Sequence, residues 1–69
     1  MSYAVVIEKA RNNYSAYVPD LPGCVATGRT RPAVRKAIRD AIAIHLDGLR
    51  EDGQPVPKPQ ATVEVVDVA

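Results

Sequence analysis

The sequence predicts an α+β fold in the order β-β-β-α-β, a four-stranded sheet with one helix on one face. Three observations predict it. Short β-branched and aromatic runs at 3–9, 14–18 and 24–28 are separated by turn-forming residues. Apolar residues then recur at helical spacing from Val34 to Leu49, and a second valine-rich alternation, 61–68, follows a proline-rich stretch.

YAVVIEK, residues 3–9, is apolar on both alternating faces up to Glu8, which suits a central strand. Arg11-Asn12-Asn13 carries two asparagines that tolerate left-handed backbone, so it reads as a hairpin connection. YSAYV, residues 14–18, is the second strand, and Pro19 ends its ladder because it has no amide proton. In Leu21-Pro22-Gly23-Cys24 the proline presets the second turn position and the glycine takes positive φ at the third, describing a type II turn. Asp20 is expected to cap its own backbone there. CVATG, residues 24–28, completes an antiparallel meander.

Thr30 is a suitable helix N-cap, and Pro32 falls in the first turn, where its missing donor costs little. Val34, Ala37, Ile38, Ala41, Ile42, His45 and Leu49 make one apolar stripe to about Arg50. Gly48 weakens the last turn and Gly53 stops it. GQPVPKPQ, residues 53–60, is a stiff, polyproline-like connector, and ATVEVVDV, residues 61–68, is the fourth strand.

Size and composition set the function classes. Sixty-nine residues without Trp or Phe make a thin core, so a surface that binds something is expected ahead of a deep catalytic cavity. One helix covers one sheet face, yet the first strand is apolar on both, with Tyr3, Val5 and Ile7 against Ala4 and Val6. The uncovered face needs a partner: a second copy, another protein, or both. Tolerated exposure of Ala4 and Val6 is the alternative. The single cysteine, and an N-terminus without the pattern of a signal peptide, indicate a reducing cytoplasm. No apolar run approaches the roughly 18 residues of a membrane-spanning helix.

Catalytic, metal and cofactor chemistry is not expected. Cys24 lacks an evident general base, since the only histidine, His45, belongs to the helical stripe, and no second His or Cys stands at ligand spacing. Glu8, Asp20, Glu64 and Asp67 lie near strands, but Glu64 and Asp67 have opposite parity and point to opposite faces, so they do not converge as a two-metal nuclease needs. Arg29, Arg31, Arg35, Lys36 and Arg39 hold five of the nine basic residues although net charge is +1. Positive charge at a helix N-terminus opposes the macrodipole, which leaves room for a contact with RNA phosphates or an acidic protein surface. A solvated face is the plain alternative.

YSAYVPDLPGCVATGRT, an Ala/Ile-rich helix, LDGLREDGQPVPKP and a short final strand together resemble the HicB-like antitoxin family over nearly the whole chain. The pairing of PDLPGC with the downstream DGQPVPKP is more specific than either part alone. The resemblance implies a partial RNase H-like fold, with a mixed sheet whose fourth strand lies beside the first. It implies a non-enzymatic, homodimeric or homotetrameric protein that binds a HicA-type mRNA-cleaving toxin and blocks it sterically. Many relatives continue into a DNA-binding domain; residues 1–69 read as a single domain without one, so DNA binding by this chain alone is not expected. The partner contacts expected are Asp20, Leu21, Arg29, Arg31 and Arg35, with Pro19, Pro22, Gly23 and Thr30 shaping the turn and helix start. The alternatives are a small RNA-binding module using the basic helix start, or a stand-alone oligomer of the same fold.

Overall fold

In the computed structural model, which describes residues 1–69, three antiparallel strands form a meander in the order β1-β2-β3. β1 is Val6–Lys9, β2 Tyr14–Tyr17 and β3 Val25–Gly28. The polar hairpin closes by Ala10 N–H donating to the Asn13 carbonyl at 2.8 Å. Its register sets Val6 opposite Tyr17 and Lys9 opposite Tyr14. In the next pair Tyr17 stands opposite Val25, and Tyr14 opposite Gly28. Strand alternation then sorts the residues: Ile7, Ala16 and Ala26 face the helix, while Val6, Tyr17 and Val25 face away from it.

The helix, α1, spans Arg31–Glu51. Thr30 holds an extended backbone and its hydroxyl accepts from Ala33 N–H at 3.1 Å, with Pro32 in the first turn. The helix runs through Gly48 and ends on Gly53, whose φ of 69° is open to glycine. There Gly53 N–H donates to Arg50 and Gln54 N–H to Leu49, the paired bonds that close a helix on a left-handed residue.

The core is Ala16, Val18, Leu21, Cys24, Val34, Ile38 and Leu46. Leu46, not His45, carries the buried line into the last turns, because 38, 42 and 46 follow one another at intervals of four; His45 sits half-buried at the margin. Sheet and helix approach closely at Gly28. A Cβ there would stand 2.6 Å from Val34 N and 2.9 Å from Ala33 C.

One expectation fails. The sheet is three-stranded and antiparallel, β-β-β-α, and not the four-stranded mixed sheet of a β-β-β-α-β order. Residues 61–68 have the alternation of a strand but pair with nothing, and no backbone-to-backbone hydrogen bond reaches beyond Gln54. The cause lies in the connector. The Tyr3 hydroxyl donates to the Pro57 carbonyl, and one Asp20 carboxylate oxygen accepts from Gln60 N–H and Ala61 N–H, both at 3.0 Å. These anchors hold the connector at Tyr3 and on the β2-β3 loop, and the chain beyond Ala61 is exposed throughout. The Cα radius of gyration is accordingly 13.4 Å, against about 11 Å for a compact chain of this length. No helix is long and apolar enough to cross a membrane.

Candidate functional site

The loop from Val18 to Cys24 is a double turn. Leu21 N–H donates to Val18 and Cys24 N–H to Leu21, and Val18 N–H bonds the Cys24 carbonyl across the base. Gly23 has φ 83°, as the type II geometry of Leu21-Pro22-Gly23-Cys24 demands. Pro19 and Pro22 are exposed at its corners, whereas Leu21 is 0% exposed and anchors the loop in the core. Asp20 does not cap its own backbone; its carboxylate binds two amides forty residues further along, which ties the loop to the connector.

Cys24 is buried, and desolvation pushes its thiol up. It shares a shallow hollow with His45, together with Gly23, Val25, Ala41 and Ile44. Sequence spacing gave no sign of that approach. No hydrogen bond joins the pair, and a thiol raised by burial is the reverse of an activated nucleophile. The carboxylates do not gather either: no three of the His, Cys, Asp and Glu side chains stand close enough to hold a metal ion.

Charge is distributed in two places. Arg11 and Arg29, with Asn12, Asn13, Thr27 and Gly28, line a polar hollow at the hairpin end of the sheet. Beside it the Arg31 guanidinium lies 5.8 Å from the centroid of the Tyr14 ring. Further along the helix Arg35 and Arg39 flank an apolar groove between β1 and α1, lined by Met1, Tyr3, Val5, Ile7, Ile38 and Ile42. The two ion pairs of the chain, Lys36 with Asp40 and Arg50 with Asp47, involve neither of those arginines.

The opposite sheet face is bare. Val6, Tyr17 and Val25 form a cross-strand row there, with Tyr17 42% and Val25 64% exposed. Parity and the hairpin register together could have found this row; the alternation of β1 alone showed only its Ala4 and Val6 part. Of the five contacts expected, Arg29, Arg31 and Arg35 are exposed, Asp20 is engaged internally and Leu21 is core. The five therefore do not form one patch.

A thin α+β domain with one bare sheet face, a grooved edge and no gathered reactive groups has the form of a protein-binding module. The family described as the HicB_like antitoxin of bacterial toxin-antitoxin systems matches residues 3–68, and the chain belongs to it. This is a family of antitoxins, not of enzymes. A 14.9 kDa protein from the rep-hol intergenic region of Haemophilus phage HP1 is 38% identical over 58 residues. That match takes in 84% of this chain, which spans 44% of the phage protein. A UPF0150 protein of Thermoplasma acidophilum is 32% identical over 62 residues, covering 88% of this chain and 90% of the relative. Among solved structures, a chain of the HicA3 and HicB3 toxin-antitoxin complex superposes with a TM-score of 0.74 at 32% identity, over 86% of this chain and 70% of that one.

Proposed function

We propose that this chain is an antitoxin that binds a HicA-type toxin and neutralises it by covering its working surface. The observation that carries the reading is the match in both sequence and fold to a chain of the HicA3 and HicB3 complex, 32% identical with a TM-score of 0.74. The row of Val6, Tyr17 and Val25 supplies apolar area for such a contact. Arg29 and Arg31 supply polar contacts where the sheet passes into the helix, Arg35 belongs to the groove on the helix side, and Asp20 and Leu21 act from within by fixing the loop shape. The chain works in the cytoplasm, where the free Cys24 stays reduced, and as a homo-oligomer. The test is co-purification with a HicA-type toxin and titration of the chain into that toxin's RNA-cleavage reaction. Inhibition that saturates at a fixed stoichiometry is expected; separate elution with unchanged cleavage overturns the reading.

A second reading, RNA binding, is favoured by one observation: Arg11 joins Arg29 around the polar hollow at the hairpin end. Binding of a single-stranded RNA that weakens steeply with salt, its slope falling by about 0.7 for each phosphate contact removed in Arg11→Ala or Arg29→Ala, supports it. A salt-independent signal removes it.

A further inference from the structure

The net charge of +1 hides an electrically polar molecule. Gly28 stands opposite Tyr14, so β3 ends beside the β1-β2 hairpin and the helix starts there. It then runs back towards the β2-β3 loop, where His45 meets the hollow beside Cys24. Lys9, Arg11, Arg29, Arg31, Arg35 and Arg39 lie on the hairpin half; all are exposed and none takes part in an ion pair. Asp47, Glu51 and Asp52 gather at the other end of the helix. The carboxylates nearest the cations are engaged or turned away: Asp40 pairs with Lys36 at 2.9 Å, and alternation puts Glu8 on the opposite face of β1 from Lys9.

Stability alone does not account for this arrangement. Arg31, Arg35 and Arg39 follow one another at intervals of four on one helical face, where like charges repel, and the first turn holds no acid to complement the helix dipole. A bound polyanion relieves both.

The cations also form a path. Arg11 and Arg29 line a hollow of about 510 Å³ at the hairpin end, and Arg31 follows, exposed above the Tyr14 ring. Arg35 and Arg39, with Pro32 and Lys36, line a second hollow of about 320 Å³ along the helix. Helical rise sets the three helix arginines about 6 Å apart in turn, a step that suits consecutive phosphates of an extended strand. We propose that this path binds the backbone of a single nucleic-acid strand, with phosphates at Arg11, Arg29, Arg35 and Arg39 and a base stacked on the Arg31 guanidinium. The inference rests on the RNA-binding reading above and extends its site from the hairpin hollow to the middle of the helix. A duplex suits the path less well, because its bases stack on one another and offer none to Arg31. The row of Val6, Tyr17 and Val25 lies on the other sheet face, so a strand on this path and a toxin on that row occupy different sides.

Fluorescence anisotropy of the full chain with a labelled oligouridylate of about ten residues tests the path, beside an oligothymidylate and an RNA duplex of equal length. Kd is expected to rise with salt at a log–log slope of about 3 to 4, and single strands are expected to bind at least about tenfold more tightly than the duplex. The two single strands show whether RNA or DNA is preferred. Arg35→Gln with Arg39→Gln is expected to cut the slope by about 1.4 and weaken binding at least about tenfold at low salt. Its helical circular dichroism stays and its melting temperature does not fall, since repulsion along the helix is removed. Arg31→Lys keeps the charge and removes the planar surface, so it is expected to reduce the preference for single strands with the slope unchanged. Equal or tighter binding of the duplex, or a double variant that loses melting temperature along with affinity, overturns the inference. Binding that Arg11→Ala or Arg29→Ala weakens and the double variant leaves intact overturns the path alone, and the hairpin hollow keeps its RNA reading. No salt-dependent binding of either strand overturns both; if the double variant then loses toxin affinity, the arginine row belongs to an acidic protein surface.

Discussion

Gly28 and Gly48 show how opposite the same substitution can be at two positions. At Gly28 an added methyl group meets backbone atoms of the helix start, which cannot swing aside as a side chain can. Gly28→Ala is therefore expected to lower stability by about 1–3 kcal/mol. Nothing lies within 4 Å of a Cβ on Gly48, which sits inside the helix, so Gly48→Ala is expected to raise stability by about 1 kcal/mol. Urea denaturation of both variants reads the two signs. Cys24 adds a pH dependence. Burial raises its folded pKa above the unfolded value, so the group's contribution is fully present below an ordinary thiol pKa of about 8.5 and is lost as pH rises through the folded value. Wild type is expected to lose more stability than Cys24→Ala between pH 7 and pH 10, and its alkylation at pH 8 is expected to proceed at the rate of opening. Equal losses in the two proteins count against the assignment.

Among the elements, the connector beyond Gln54 has hydrogen bonds to side chains only, and Asp20 is its main fastening. With Asp20→Ala, the Gln60 and Ala61 amides lose their acceptor while the meander and helix keep every backbone bond. Amide exchange at those two residues is expected to speed up by roughly tenfold, with exchange in β2 and the mid-helix unchanged. Uniform acceleration means that Asp20 supports the whole fold. The contrast with the helix explains what was legible in the sequence. Thr30, Pro32 and Gly53 bound the helix through contacts with residues within five positions, and Pro22-Gly23 sets its own turn, so their chemistry is written locally. Asp20 looked like a local cap because the sequence gives no sign of acceptors and donors forty residues apart. Residues 61–68 looked like a fourth strand for a related reason: a period of two identifies a strand-forming segment but not the edge it joins. The close approach at Gly28 was equally hidden, since it depends on how the helix leaves the sheet. Leu46 was overlooked and His45 overvalued because both continue a helical spacing from Ile38, one through 42 and 46 and the other through 41 and 45, and periodicity does not say which of the two lines meets the sheet.

The molecule as a whole presents two surfaces on opposite sides, and this decides what one chain can do at once. The groove sits on the helix side of the sheet, between β1 and α1, while the Val6, Tyr17 and Val25 row faces away from the helix. Copies that associate through the groove side would therefore leave the bare sheet face of each open to a toxin. Tyr17→Thr with Val25→Thr tests this division, because both changes keep β-forming residues on exposed strand positions and are expected to alter stability by no more than about 0.5 kcal/mol each. An aromatic side chain at the middle of an interface is often one of its anchors, so the double variant is expected to lose at least about 2 kcal/mol of toxin affinity, some thirtyfold in Kd. Its dimer dissociation should be unchanged. Calorimetric titration reads the first quantity and sedimentation the second, on the same preparation. If toxin affinity holds while the dimer weakens, the two surfaces have exchanged roles: the bare face joins copies, and the arginine-flanked groove takes the toxin.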